Sequence, residues 1–390
     1  MYRIGNEEIE ALKKVVESRD LFKINGGVKA SKNVEEKLRL LFDVPYSIFM
    51  TSGHAALTSA LVALGVGPGD EVIVPGYTYI ATPMAVIAAG AMPVICEVDE
   101  TLTIDPCDVE KKITKHTKAI IPVHIQGFPC DMDKICDIAK KYNLYVVEDA
   151  CQADGGSYHG KRLGTIGDAG GLSFNYFKLI TCGEGGGFLT KDKTVFERAL
   201  IYHDSSAIAF FGDQMSGFSE AEFCGNEYRS NELCAAVLGV QLDRMDDILS
   251  DNRRNKKYMM EKLSDVCEFV PSNDVDGDCA TTLAFRFDSE EKARKFASSE
   301  GIGGTVPADT GKHIYKNWTA VMNKRGAFNP LMDPFRMEAN KDIVPDYKPD
   351  MCPKTLEYLS KTVYLCIFPD DTPEICDKRV DVIRKALSEI

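Results

Sequence analysis

Three short stretches carry residues whose types and spacing could do chemistry. The first is TSGHAAL (51–57), where a Ser-Gly pair opens a helical run. A helix N-terminus offers unpaired N–H groups and a partial positive charge, which together make a seat for a phosphate. A serine in front of a helix also serves as a plain N-cap. The second is VVEDACQADGG (146–156), in which a β-strand delivers Glu148 and Asp149 to its carboxyl end. Open α/β sheets bind ligands there, and a carboxylate at that place can be a cap, a metal ligand or a base. The third is SFNYFKLITCGEGGG (173–187), with Lys178 among Phe174, Tyr176, Phe177 and Leu179 and glycines at 183 and 185–187. An amine in a dry aromatic pocket becomes nucleophilic near neutral pH, which suits Schiff-base chemistry. The alternative is a lysine that buries its stem and keeps its charge in water.

Taken together, the three stretches match one requirement. A phosphate seat, a strand-end carboxylate and a buried lysine are what pyridoxal phosphate needs: an anchor, a partner for the pyridine nitrogen and an amine for the aldehyde. No metal is required. An aromatic ring to stack on the cofactor is available in GYTYIAT (76–82), at another strand end.

Elements that position these residues are visible along the chain. EVIVP (71–75), MPVICEV (92–98), KAIIPVH (118–124), LYVVED (144–149), GGLSF (170–174) and GGFLT (186–190) read as strands. Several are continuously apolar, as strands covered on both faces are. Helical patterns at 54–65, 78–90 and 130–142 lie between them. The alternation predicts an α/β fold with a mostly parallel central sheet and helices on both faces. The close pair 170–174 and 186–190 breaks it. Beyond Ser230, two long helices (231–247 and 252–263) precede the short strands EFVP, ATTLAFRF and TVYLCIF and a closing helix. The expected division is a large domain at 1–245, opening with a helical segment, and a smaller α+β domain at 246–390. The stretch 205–224 shows no period and reads as a functional or mobile loop.

Composition narrows the function classes. The 390 residues suit two domains, and 44% apolar residues allow a sizeable core. A net charge of −13 argues against a general binder of nucleic acid or anionic membrane. Thirteen scattered cysteines, none in a CxxC pair, predict free thiols in a reducing compartment. The N-terminus lacks an apolar signal core, and the weakly polar stretch 81–96 is shorter than the ~20 residues a membrane span needs. A soluble cytoplasmic protein is expected. GVGPGD (65–70) follows a helix and precedes a strand, the reverse of the dinucleotide fingerprint.

The stretches TSGHAALTSALVALGVGPGDEVIVPGYTYIAT, GAMPVICEVDE, EDACQADGGSYHGKRLGTIGDAGGLSFNYFKLITCGEGGGFLT and GNEYRSNELCAAVLGVQL occur in a specific order and spacing. By them the chain resembles the DegT/DnrJ/StrS family of sugar aminotransferases, of the fold type I pyridoxal-phosphate class. The resemblance implies that Lys178 is the Schiff-base lysine. It places Asp149 at the pyridine nitrogen, Gln152 at the ring's phenolic oxygen and Ser173 on the phosphate. It puts Ser52, Gly53 and His54 at the phosphate-binding helix terminus and Tyr79 over the ring. It further implies a homodimer in which Asn226 and Arg229 complete the partner's site. His54 departs from the family's usual threonine, which leaves the backbone N–H as the certain contact. GKHIYKNW (311–318) falls where relatives carry a His-containing substrate loop, so His313 and Tyr315 are substrate candidates; a structural histidine is the alternative.

The implied reaction passes an amino group from glutamate or glutamine, through pyridoxamine phosphate, to a keto sugar. The sugar is nucleotide-linked in most relatives. IPVHIQG, EVDETLTIDP and ITCGEGG resemble members that aminate an eight-carbon ulosonate of bacterial lipopolysaccharide. Other readings are a different pyridoxal-phosphate lyase, racemase or dehydratase, or a non-catalytic regulatory relative. A lysine at 178 argues against the family's dehydratases, which carry histidine there.

Overall fold

The computed structural model describes residues 3–24, 27–210 and 217–390. Two helices, α1 (Asn6–Ser18) and α2 (Ala30–Phe42), come first. Strands and helices then alternate: β1 (Tyr46–Met50), α3 (Gly53–Ala63), β2 (Glu71–Pro75), α4 (Ala81–Ala88), β3 (Met92–Cys96), α5 (Pro106–Lys112), β4 (Thr117–Ile120), α6 (Met132–Tyr142) and β5 (Tyr145–Asp149). A small hairpin, β6 (Ser157–Tyr158) with β7 (Lys161–Arg162), leads to β8 (Ala169–Ser173), β9 (Gly186–Thr190) and α7 (Lys193–His203). The chain closes with α8 (Glu232–Leu263), β10 (Glu268–Phe269), β11 (Thr282–Arg286), α9 (Glu290–Ser298), α10 (Thr319–Met322), α11 (Pro353–Ser360), β12 (Thr362–Cys366) and α12 (Pro373–Ser388). Helix starts follow the capping rule: Ser52, Asp105, Asp131, Asp192, Asn231, Ser289 and Thr372 each accept a backbone N–H of the first turn.

Seven strands form the main sheet in the order β1-β9-β8-β5-β4-β2-β3. Six run parallel, and β9 runs antiparallel between β1 and β8. Most strand residues alternate between two cores. Ile48, Met50, Val72, Val74, Val147 and Phe188 face α3, α4 and α7. Phe49, Ile73, Val146, Leu172 and Leu189 face α2, α5, α6 and α8. This is why these strands read as unbroken apolar runs. The sheet is of the predicted class, the two N-terminal helices fall in the expected helical segment, and the strand β1 (YSIFM) is an addition to the sequence reading.

Where two long helices were expected there is one of 32 residues, α8, unbroken from Glu232 to Leu263. Its first half packs through Leu238, Leu242, Met245 and Leu249 on the main sheet. Its end packs through Met259 and Leu263 on a second core, under the three-stranded sheet β10-β11-β12 with α9 and α12. The expected division at 245/246 therefore falls inside a continuous helix. Residues 314–359 also return to the main core, where Tyr315, Trp318, Phe335, Tyr347 and Leu359 are buried. Tyr347 Oη donates to Pro93 O at 2.7 Å, and Glu97 accepts the Thr355 N–H at 2.8 Å at the start of α11. Of the stretch 205–224, residues 211–216 lie outside the described residues.

Glu148 holds the loop between β7 and β8. It is fully buried and accepts N–H bonds from Gly164 (2.8 Å), Ile166 (2.5 Å) and Gly167 (2.7 Å). His124 Nε2 adds a contact at 3.1 Å; Cys130 N–H donates to its Nδ1, so Nε2 carries the proton. Glu148→Ala strands these donors, and urea denaturation is expected to show a loss of roughly 3 kcal/mol or more. A loss within error of zero contradicts this role.

Candidate active site

The six parallel strands end along one edge, and β9 starts there. Period-two alternation puts Asp149 on the α3 face of the sheet while Glu148 points to the other. Of the two strand-end carboxylates, only Asp149 can face a ligand on that side. Its Oδ2 accepts from Thr82 Oγ1 at 2.6 Å and its Oδ1 from Cys151 N at 3.1 Å. Thr82 in turn contacts Thr78 Oγ1 at 2.8 Å. This hydroxyl relay fixes the carboxylate's direction. Thr82 was missed in the sequence, although it lies within GYTYIAT, four residues after Thr78.

At α3, Ser52 Oγ accepts the Ala55 N–H at 3.1 Å, so the serine is an N-cap. The N–H groups of Gly53 and His54 belong to the first turn and have no intrahelical acceptor. Glycine is required around them by space. A Cβ at Gly186 would overlap the Ser52 carbonyl and stand 2.7 Å from Gly53 N. A Cβ at Gly53 would overlap Cys151 Sγ and stand 3.0 Å from Ser173 Cβ. Ser173, the last residue of β8, thus lies against the α3 terminus. His54 turns aside: its Nδ1 meets Ala81 O at 3.2 Å.

Lys178 follows a tight turn in which Asn175 O accepts the Lys178 N–H at 3.1 Å and Asn175 Oδ1 the Phe177 N–H at 2.9 Å. That turn corrects the expected aromatic pocket. Phe174 is buried on the far face of the sheet, in the core with Leu172. Tyr176 and Phe177 are 58% and 79% exposed. Lys178 is half-buried, and Asp154 and Cys151 beneath it and His313 across from it all feel its charge.

The remaining candidates are distributed as follows. Gln152 Oε1 accepts the Gln126 N–H at 3.1 Å, so its NH2 is the end available to donate. Tyr79 is 39% exposed, with its ring centroid 5.6 Å from that of His313. His313 is fastened by its carbonyl to Thr78 N at 2.9 Å. Lys312 Nζ lies 5.4 Å from the Tyr79 ring and 5.5 Å from the Phe177 ring, across the mouth of the site. Tyr315 is a correction. It is fully buried, donates to Pro349 O at 2.6 Å and accepts from Cys352 N at 3.1 Å, so it is a core strut rather than a substrate contact. Asn226 donates to Tyr202 Oη at 2.6 Å. Arg229 pairs with Glu227, donates to Asp204 O at 3.1 Å and lies over Phe22. In this chain both are held by intrachain partners beside the end of β1. A cavity of about 500 Å³ bounded by Phe128, Met260 and Phe269 shares no residue with this edge. Among the described residues no group of His, Cys, Asp and Glu could hold a metal, and no helix is long and apolar enough to cross a membrane.

Residues 2–306 match the model of the DegT/DnrJ/EryC1/StrS aminotransferase family. The chain belongs to that family. It is 42% identical over 211 residues to GDP-perosamine synthase of Escherichia coli O157:H7, a match covering 54% of this chain and 56% of that protein. It is 39% identical over 275 residues to dTDP-3-amino-3,6-dideoxy-alpha-D-galactopyranose transaminase of Aneurinibacillus thermoaerophilus, covering 69% of this chain and 72% of that one. In structure it is similar to the aminotransferase from Psychrobacter cryohalolentis, with a TM-score of 0.80 and 26% identity over 100% of this chain and 99% of that chain. Fold and family agree on an enzyme of the pyridoxal-phosphate aminotransferase kind.

Two measurements test this geometry. Gly186→Ala is expected to cost about 1–3 kcal/mol in urea denaturation and to weaken pyridoxal-phosphate binding in the same protein; unchanged binding contradicts the seat. The second concerns pH. Burial, then the charges of Lys312 and Lys178, push the His313 imidazole down to about 4 from an ordinary 6.5. The folded chain then binds fewer protons than the unfolded one, so stability falls as pH drops from about 6.5 toward about 4. Buried His203 acts in the same direction. His313→Gln removes one of the two, and its stability should fall less steeply with acid than that of the parent. Identical slopes contradict the assignment.

Proposed function

We propose that this protein uses pyridoxal phosphate to move an amino group from glutamate or glutamine to a keto sugar. The observation that carries the reading is the meeting of Lys178, Asp149, Ser173 and the α3 terminus at one sheet edge, with glycine wherever a side chain would block the approach. The residues present fit the cofactor. The N–H groups of Gly53 and His54, with Ser173, would hold its phosphate. Asp149, oriented by Thr82, would face its ring nitrogen. Gln152 would donate to the phenolic oxygen, and Tyr79 would cover the ring. When bound, the cofactor supplies the electron sink and carries the amino group between the two substrates. Lys178 Nζ takes the proton from the donor carbon and returns it on the other side of the transfer.

A keto sugar bearing an anionic group fits the mouth of the site. Lys312, held over Tyr79 and Phe177, offers a cation there. The GDP- and dTDP-sugar names of the relatives support a nucleotide-linked substrate. A free eight-carbon ulosonate, whose carboxylate would meet the same lysine, is the second reading. The exposure of Tyr176 and Phe177 beside Lys178 supports a second subunit closing the site in a homodimer, with Asn226 and Arg229 reaching across. A cytoplasmic location accords with this chemistry.

Glutamate or glutamine added to the cofactor-loaded protein should bleach its visible absorbance band, and a suitable keto sugar should restore it. Separate trials with GDP- and dTDP-keto sugars and with an oxidised ulosonate separate the two substrate classes. Lys178→Ala should lack the band and lose at least ~10²-fold in turnover. A spectrum that neither donor changes contradicts transamination.

A further inference from the structure

The stretch IPVHIQG (121–127) ends in a glutamine to which the chemistry above gives no task. The stretch continues β4 beside the end of β5: Asp149 N donates to Pro122 O at 2.9 Å and His124 N to Asp149 O at 3.1 Å. A tight turn follows, closed by Phe128 N donating to Ile125 O at 2.8 Å. Both of its central residues are left-handed, Gln126 with φ 54° and ψ 19° and Gly127 with φ 85°. A turn with two positive φ angles takes glycine, asparagine or aspartate at those places. Gly127 meets that rule, and a Cβ there would stand 2.6 Å from Cys279 Cβ. Gln126 does not meet it.

The segment entering β11 holds this turn in place. Thr281 Oγ1 donates to Gln126 O and Thr282 Oγ1 to Gln126 Oε1, each at 3.0 Å. Cys279 N donates to Gly127 O at 3.2 Å. A residue other than glycine stays left-handed where its surroundings over-determine it, and such residues gather at functional sites. What the conformation gains here is the direction of one N–H. Gln126 N donates to Gln152 Oε1 at 3.1 Å. A backbone N–H can only donate, so the atom of Gln152 that meets it is the oxygen. The Gln152 NH2 is thereby turned the other way.

We propose that Gln126 is a positioning residue for Gln152. Its left-handed backbone, fixed by Thr281 and Thr282, aims the N–H that makes Gln152 present its NH2, and not its oxygen, to the phenolic oxygen of pyridoxal phosphate. A carboxamide turned over at that place would set oxygen against oxygen and lose the donor. The phenolic oxygen shares the proton of the link between Lys178 and the cofactor. A donor from the protein steadies the negative charge on that oxygen and so lowers the pH at which the shared proton leaves. This rests on the reading of the site as one for pyridoxal phosphate.

The test has two readouts. The first needs no cofactor: amide hydrogen exchange of the full-length protein, cleared of bound carbonyl compounds with hydroxylamine. The Gln126 amide should exchange at least about tenfold more slowly than in the unfolded chain, and about fivefold faster in Gln152→Met than in the parent. A Gln126 amide without protection in the parent overturns the proposal, whether or not any variant folds. Unchanged exchange in Gln152→Met also overturns it. The second readout is the pH midpoint of the visible band in the loaded protein, which a purely structural role does not move. Valine is strained at a positive φ, whereas asparagine tolerates it. Gln126→Val should raise the midpoint by about one unit, a tenfold change in proton affinity, and Gln126→Asn by less than about half as much. A midpoint in Gln126→Val equal to the parent's, or an equal rise in both variants, overturns the proposal. A parent protein that takes up no pyridoxal phosphate is a separate result: it removes the functional reading, and the exchange rates then decide alone whether Gln126 orients Gln152.

Discussion

Adjacent residues of a strand must face opposite sides of the sheet, and at the end of β5 that rule assigns two carboxylates to two tasks. Glu148 points into the α2–α6–α8 core and gathers the N–H groups of 164, 166 and 167. Asp149 points to the α3 side and meets Thr82. The loop that Glu148 holds leads directly into β8, which presents Ser173 and then Lys178. One alternation therefore turns Asp149 toward the sheet edge and secures the approach to Lys178. A one-residue slip of β5 would bury Asp149 and expose Glu148, and the site would lose both supports.

Much of this was legible in the chain. Unbroken apolar runs separated by helical patterns gave six of the seven main-sheet strands, since strands covered on both faces leave no polar positions. β1 escaped because Tyr46 and Ser47, two of the five residues of YSIFM, carry polar groups. The polar join at 247–252 looked like a break. Asp246, Asp247 and Arg254 are exposed there, on a helix that passes between two cores. The expected boundary at 245/246 lies within that helix, and the return of 314–359 to the main core depends on contacts distant in sequence, such as Tyr347 with Pro93.

The candidate site was legible in its parts and less so in its surroundings. Lys178, Asp149, Ser173 and Ser52 come together as their positions at strand ends imply. The aromatic residues around Lys178 do not form its walls, because the Asn175 turn sends Tyr176 and Phe177 outward and β8 directs Phe174 to the other core. Tyr315 looked like a substrate contact by its neighbour His313, but the tight helical turn that begins at Tyr315 carries it into the main core beside Ile314 and Trp318. Thr82 carries no motif of its own. Its importance lies in the carboxylate it touches, which only three dimensions reveal.

The family assignment fixes the kind of enzyme, and the geometry says which residues of this chain would do the work. In this arrangement a single lysine, 178, would meet the cofactor. Borohydride reduction of the pyridoxal-phosphate-loaded protein, followed by peptide mapping, tests this directly. The expected result is one phosphopyridoxyl group, on Lys178 in the peptide spanning Ser173 to Gly187. The group found on another lysine, or spread over several exposed ones with Lys178 unmodified, contradicts it.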